Sequence, residues 1–184
     1  MANNKHEKEQ STEVKQSFLA SAISDISTYI QLADTKVSII MAAVVAILAG
    51  IASCYEPIGA AIVKITPCSW IGVLLIIISL IGAVGIILVF VFGILTIRAH
   101  SSNINYKSKW FLIKSTKEYS FDEFAKDVNK MSDEDILKNM SAELYKLNDI
   151  NRQKMRTMTW TLRSFSLLLI AVAVVIALLF VNAI

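Results

Sequence analysis

Residues 69–97 read SWIGVLLIIISLIGAVGIILVFVFGILTI, 29 consecutive positions without a charge. A helix needs roughly 20 apolar residues to cross the hydrocarbon core of a bilayer. A helix on a soluble protein keeps a polar face, and this run has none. It predicts a transmembrane helix, longer than a perpendicular crossing needs and so tilted, kinked or projecting from the bilayer. Gly82, Gly85 and Gly93 are its candidate flexible or close-packing points. Two further uncharged apolar runs, 37–55 and 164–184, predict two more spans.

The polar stretches carry a different period. Leu19, Ile23, Ile26, Ile30, Ala33 and Val37 recur at spacings of 4, 3, 4, 3 and 4, a heptad seam leading into the first span. No proline or glycine interrupts it, so one helix is expected from about residue 12 to 53, with Ser11 or Thr12 as N-cap. Because this long polar helix precedes the first span, the span does not read as a cleaved signal peptide. Leu137, Met140, Leu144, Leu147 and Asn151, at spacings of 3, 4, 3 and 4, form a second seam that runs into the third span. That helix would be about 50 residues, or about 75 Å at 1.5 Å per residue.

Shorter signals fill the rest. Ser120-Phe-Asp-Glu123 is a capping box, so a short helix should start at Phe121 and end near Met131. Ser132-Asp-Glu-Asp135 repeats the N-cap logic, with acids in the first turn favoured by the helix dipole. Pro57 and Pro67 bracket an apolar loop and should end the flanking helices. Trp70 stands where an interfacial anchor is expected, and Trp110, Phe111, Leu112 and Ile113 form a short apolar cluster. Ala42, Ala46 and Gly50 fall four apart, as do Ala173 and Ala177. Such stripes either admit a neighbouring helix or reflect how common alanine is in spans.

The predicted fold class is therefore an all-α membrane protein, three transmembrane helices with long helical cytoplasmic extensions forming a bundle. Its segments are a tail and helix (1–36), a span (37–55), a short periplasmic loop (56–68), a span (69–97), a cytoplasmic helical segment (98–163) and a last span (164–184). Composition agrees: 55% of the 184 residues are hydrophobic, and the mean hydropathy of +0.57 is too high for an ordinary soluble domain. Charge adds the orientation. Residues 98–163 carry thirteen Lys or Arg and residues 1–36 carry four, against Lys64 alone in the 56–68 loop. The positive-inside rule then places the N-terminus and the 98–163 segment in the cytoplasm. Cys54 and Cys68 flank the outer loop, and are either a periplasmic disulfide or two inert apolar side chains.

No enzymatic constellation appears. His6 and His100 are the only histidines, and there is no metal-ligand spacing, Gly-rich phosphate loop or nucleophile elbow. Two polar groups stand out instead. Asp34 and Lys36 lie where the first helix meets the membrane, where charge is costly unless paired or solvated. They point to different sides of the helix, so each needs another partner or water. Tyr145, Asn148, Asn151, Arg152 and Lys154 precede the third span. Asn151 falls on the seam, where a polar residue often fixes register. The neighbouring cations also serve as orientation signals.

Two stretches carry a resemblance. LADTKVSIIMAAVVAIL opens the first span with an Ala-Asp-x-Lys motif. SFDEFAKDVNKMSDEDILKNMSAELYKLNDINRQK ends in a tyrosine, an asparagine and a basic-lysine pair before the last span. In order and spacing the chain from about residue 17 to 184 resembles the Pycsar transmembrane effector family. The resemblance implies an antiphage effector of the bacterial inner membrane that responds to cyclic UMP or cyclic CMP from a cognate cyclase. It would impair the membrane to cause abortive infection, with no enzymatic activity and no cofactor besides that ligand. A cyclic nucleotide needs a cation or N–H groups for its phosphate and hydrogen-bond partners for its base. Asp34, Lys36, Tyr145, Asn148, Arg152 and Lys154 are the candidate ligand-binding residues, in a juxtamembrane bundle of a homo-oligomer. Competing readings are an accessory membrane subunit that docks a cytoplasmic protein and a holin-like pore that opens by crowding. A transporter is disfavoured, because intramembrane charges and inverted repeats are absent.

Overall fold

The computed structural model describes residues 2–63, 65, 69–98, 100–102 and 120–183. They form five helices: α1 (Ala2–Ser53), α2 (Tyr55–Val63), α3 (Trp70–Ile97), α4 (Phe121–Asn129) and α5 (Asp133–Ala183). No strand occurs among the described residues. Segments of α1, α3 and α5 are long and apolar enough to cross a membrane. The all-α membrane fold is therefore as the hydropathy pattern predicts.

The chain divides into two compact units. A polar unit comprises residues 1–31 and 100–152, and a membrane unit comprises residues 32–99 and 153–184. In the membrane unit α1, α3 and α5 pack as a three-helix bundle. Ile40 and Val44 of α1, Val89 of α3 and Leu168 of α5 form one buried cluster, with Ile86, Phe90, Phe165 and Val172 packed against it. Ala33, Val37 and Met158 form a second, with Met41 against it. The first seam thus continues past Val37 through Ile40 and Val44 at the same spacing.

Glycine sets the approach of α3. Gly82, Gly85 and Gly93 are all buried. A Cβ at Gly85 would lie 3.5–3.6 Å from the Cβ, Cα and N of Leu168, and one at Gly93 would lie 2.8 Å from Met41 Sδ. These glycines are close-packing points, which is their common role between helices in lipid. The alanine stripes face away from this three-helix bundle. Ala42, Ala46, Gly50, Ala173 and Ala177 are exposed, and a Cβ on Gly50 would meet nothing within 4 Å. Phe92 of α3 stacks on Trp160 of α5 with ring centroids 5.9 Å apart, and the Arg163 guanidinium lies 5.1 Å from the Trp160 ring centre.

In the polar unit the caps are as expected. Ser120 and Glu123 close a capping box at the start of α4. Ser132 does the same for α5: its hydroxyl accepts from Asp135 N–H at 3.2 Å, and Asp135 Oδ2 accepts from Ser132 N–H at 3.2 Å. Leu137, Leu144, Leu147 and Asn151 are half-buried and Met140 is buried, so the second seam turns inward.

Two expectations fail. The first helix starts at Ala2, not at Ser11 or Thr12. Positions 2–10 hold no Gly or Pro and include Lys, Glu and Gln, good helix formers, so nothing stops the helix at the cap candidates. The outer loop contains a helix, α2, with Pro57 in its first turn, where a missing N–H is harmless. Cys54 is exposed in the turn between α1 and α2. Cys68, Pro67 and the Trp110 cluster lie outside the described residues, and with them the disulfide expectation.

Candidate functional site

In the membrane unit α1 and α5 are joined by a partly buried ion pair. Lys154 of α5 donates to both carboxylate oxygens of Asp34 of α1, each at 2.6 Å. The Lys154 side chain is 7% exposed and that of Asp34 35%. Each is placed by its seam. Asp34 directly follows buried Ala33, and Lys154 lies four residues before buried Met158 on the same face of α5. Lys154 belongs to the inward stripe of α5 that also carries Met158, Thr161 and Leu168. A cation held there requires an anion beside it, because an unpaired buried charge is very costly. Asp34 supplies it, while its own partial exposure keeps part of the carboxylate solvated. The arrangement can hold an anion at Lys154 or a cation at Asp34, with a charge-assisted bond in either case.

The remaining candidates are placed elsewhere. Lys36 is exposed on α1. Tyr145 is 66% exposed on α5. Asn148 is exposed and donates to Leu144 O of its own helix at 3.1 Å. Arg152 pairs with Asp149 at 2.9 Å, its side chain 83% exposed. Of the six residues named from sequence, the structure brings Asp34 and Lys154 together. Tyr145, Asn148 and Arg152 share the polar unit, each at an exposed position.

Sequence reasoning missed Glu143. It is 3% exposed, and its Oε2 is buried without a hydrogen-bond partner. Asn151 Oδ1 is the other such atom among the described residues. Asn139, one turn before Glu143, is also buried, with Nδ2 donating to Asp135 O at 2.8 Å. The available signal was position: Glu143 abuts the seam residue Leu144 and lies four before Leu147. A charged residue there is half turned toward the packed side.

An apolar groove of about 840 Å³ runs through the membrane unit, lined by Ile47, Ile51, Ile62, Leu75, Ala83 and Val172 among others. Its lining has no charge and Ser79 is its one hydroxyl, so it offers an anionic ligand nothing to bind. No group of three or more His, Cys, Asp or Glu among the described residues could hold a metal ion.

The sequence model of the Pycsar effector protein domain matches residues 18–181. No curated protein and no solved structure matches the chain.

Proposed function

This chain belongs to the Pycsar effector protein family, and from that premise we propose that it breaches the bacterial inner membrane when a cyclic pyrimidine mononucleotide, cUMP or cCMP, binds it. The family gives it an effector role in antiphage defence, downstream of a cyclic nucleotide signal made by a cyclase. The finer steps are our reading. The chain acts without catalysis, as a homo-oligomer with its N-terminus and residues 98–163 in the cytoplasm. The distribution of Lys and Arg supports that orientation.

One observation carries the mechanism. Helices α1 and α5 each continue without a break from the polar unit into an apolar span. A ligand that favours one arrangement of the cytoplasmic helices shifts the population toward it. A continuous helix is the path by which that shift would reach the span. The spans are almost wholly apolar, so the resulting lesion is nonspecific and not a selective channel.

The test is dye leakage from liposomes holding the full-length protein, with and without cUMP and cCMP. Leakage that depends on one nucleotide is the expected result. Leakage without nucleotide would replace this reading with a crowding-driven pore. No leakage under any condition would point to an accessory subunit that docks a cytoplasmic protein.

A further inference from the structure

The polar unit keeps two hydrogen-bond acceptors out of water and gives them nothing to accept. Glu143 Oε2 and Asn151 Oδ1 are both buried and both unpartnered. They lie on one helix, eight residues apart, which is about 12 Å of rise. Buried polar atoms in folded proteins are nearly always satisfied, so each exception asks for an explanation. Both orphans are acceptors, so what completes them must be a donor. One is a carboxylate oxygen, whose bond to an N–H is of the strong, charge-assisted kind.

A 3′,5′-cyclic pyrimidine mononucleotide has two donor groups. One is on the base: the exocyclic amine of cytosine or the ring N–H of uracil. The other is the ribose 2′-hydroxyl. Its phosphate diester only accepts. Two donors at the two ends of one nucleoside match two orphan acceptors along one helix. We propose that Glu143 and Asn151 read the donors of the activating nucleotide, Glu143 the N–H of the base and Asn151 the ribose hydroxyl. This rests on the nucleotide reading given above.

The assignment also says how the ligand selects a state. In the structure both acceptors are closed off, with Glu143 3% exposed. The closed arrangement therefore carries the penalty of two unpaired polar atoms. An arrangement of the polar unit in which this face of α5 is uncovered lets the nucleotide supply the missing donors. The ligand then binds the opened state better than the closed one, which is the differential affinity a population shift requires. Phosphate recognition falls to the cations of the cytoplasmic segment, since a carboxylate repels it.

Specificity gives the test its direction. A carboxylate is a good partner for an amine, as in the pairing of Glu or Asp with the cytosine amine. It is a poorer partner for uracil N3–H, which two carbonyl oxygens flank. A glutamine at this position offers an amide N–H, which uracil O4 accepts and the cytosine amine does not. Binding of cCMP, cUMP and their 2′-deoxy analogues would be measured by calorimetry on the full-length protein in lipid nanodiscs. In Glu143→Gln the ratio of cCMP to cUMP affinity should fall by about tenfold or more. In Asn151→Ala the affinity for both ribonucleotides should fall, and the 2′-deoxy analogues should bind as well as they do. An unchanged ratio in Glu143→Gln, including equal weakening of both nucleotides, would overturn the assignment and leave Glu143 structural. If Glu143→Gln does not insert, undiminished discrimination against 2′-deoxy ligands in Asn151→Ala overturns it independently. A wild-type protein that binds neither nucleotide would overturn the nucleotide reading itself, and this inference with it.

Discussion

The two units bury different things. The membrane unit contains both apolar clusters, and three of the polar groups it encloses have partners: Lys154 bonds to Asp34, Thr96 to Phe92 O at 2.8 Å, and Thr161 to Thr157 O at 3.1 Å. The polar unit encloses Met140, Asn139 and Glu143, and leaves Glu143 and Asn151 with unpaired oxygens. In hydrocarbon an unserved polar group has no water to fall back on, so a span must satisfy its polar groups internally. A unit bathed in water can open and rewet at modest cost. The contrast teaches where each unit can change. The polar unit gains by admitting a donor to the two oxygens that it keeps from water.

The largest loss of stability is expected at Gly85. Its neighbour is the backbone of Leu168, at 3.6 Å, and not the end of a flexible side chain. Gly85→Leu must push α3 off α5, and overpacking against backbone should cost about 3 kcal/mol. Thermal unfolding in detergent should show the loss as a large drop in Tm. Gly93→Ala should be milder, because its closest contact at 2.8 Å is Met41 Sδ, which can swing away.

Next comes the ion pair. Asp34→Asn leaves the Lys154 ammonium buried without an anion. Removing one partner of a fully buried pair costs roughly 3–5 kcal/mol, and the partial exposure of Asp34 should reduce this to about 2 kcal/mol. Lys154→Met should cost less, because Asp34 can turn to water. Asp34→Asn combined with Lys154→Met should unfold close to wild type, because neither charge remains. A double variant as weak as Asp34→Asn alone would show that packing, not charge, ties α1 to α5 there.

The polar unit should respond with the opposite sign. Glu143→Met removes a buried carboxylate with one unpartnered oxygen and fills the site with an apolar chain of similar length. It should stabilise the protein by about 1 kcal/mol. A gain in Tm accompanied by a loss of nucleotide response would be the usual trade between stability and activity. A loss of Tm would mean that Glu143 is served by a partner and that the two units do not differ in kind.

Much of this was legible in the sequence. Composition and period are local properties, so the three spans, both seams and the caps at Ser120 and Ser132 could be read directly. Other features depend on what lies across a helix. Asp34 was seen to need a partner, but Lys154 is 120 positions away and no spacing rule joins them. Glu143 lies beside the seam at Leu144, but position alone does not show that its surroundings close over it. Ser11 and Thr12 do not start α1, because a good N-cap residue is also tolerated inside a helix when nothing before it breaks the chain. The short helix α2 is hidden in the sequence because proline signals a breaker, whereas in a first turn it is compatible with helix.

The smallest expected effect is at Arg152, and its smallness makes it useful. Its side chain is 83% exposed and its partner Asp149 lies three residues back on the same helix. Such pairs contribute little, so Arg152→Ala should change stability by less than about 0.5 kcal/mol. Tyr145 and Asn148 are likewise exposed, and Asn148 donates within its own helix at 3.1 Å. Substitutions at these positions therefore test binding without disturbing the fold. If Arg152→Ala weakens cCMP and cUMP equally and lessens the salt dependence of binding, Arg152 contacts the phosphate they share. If binding is untouched, the exposed face of α5 takes no part, and recognition belongs to the buried face that carries Glu143.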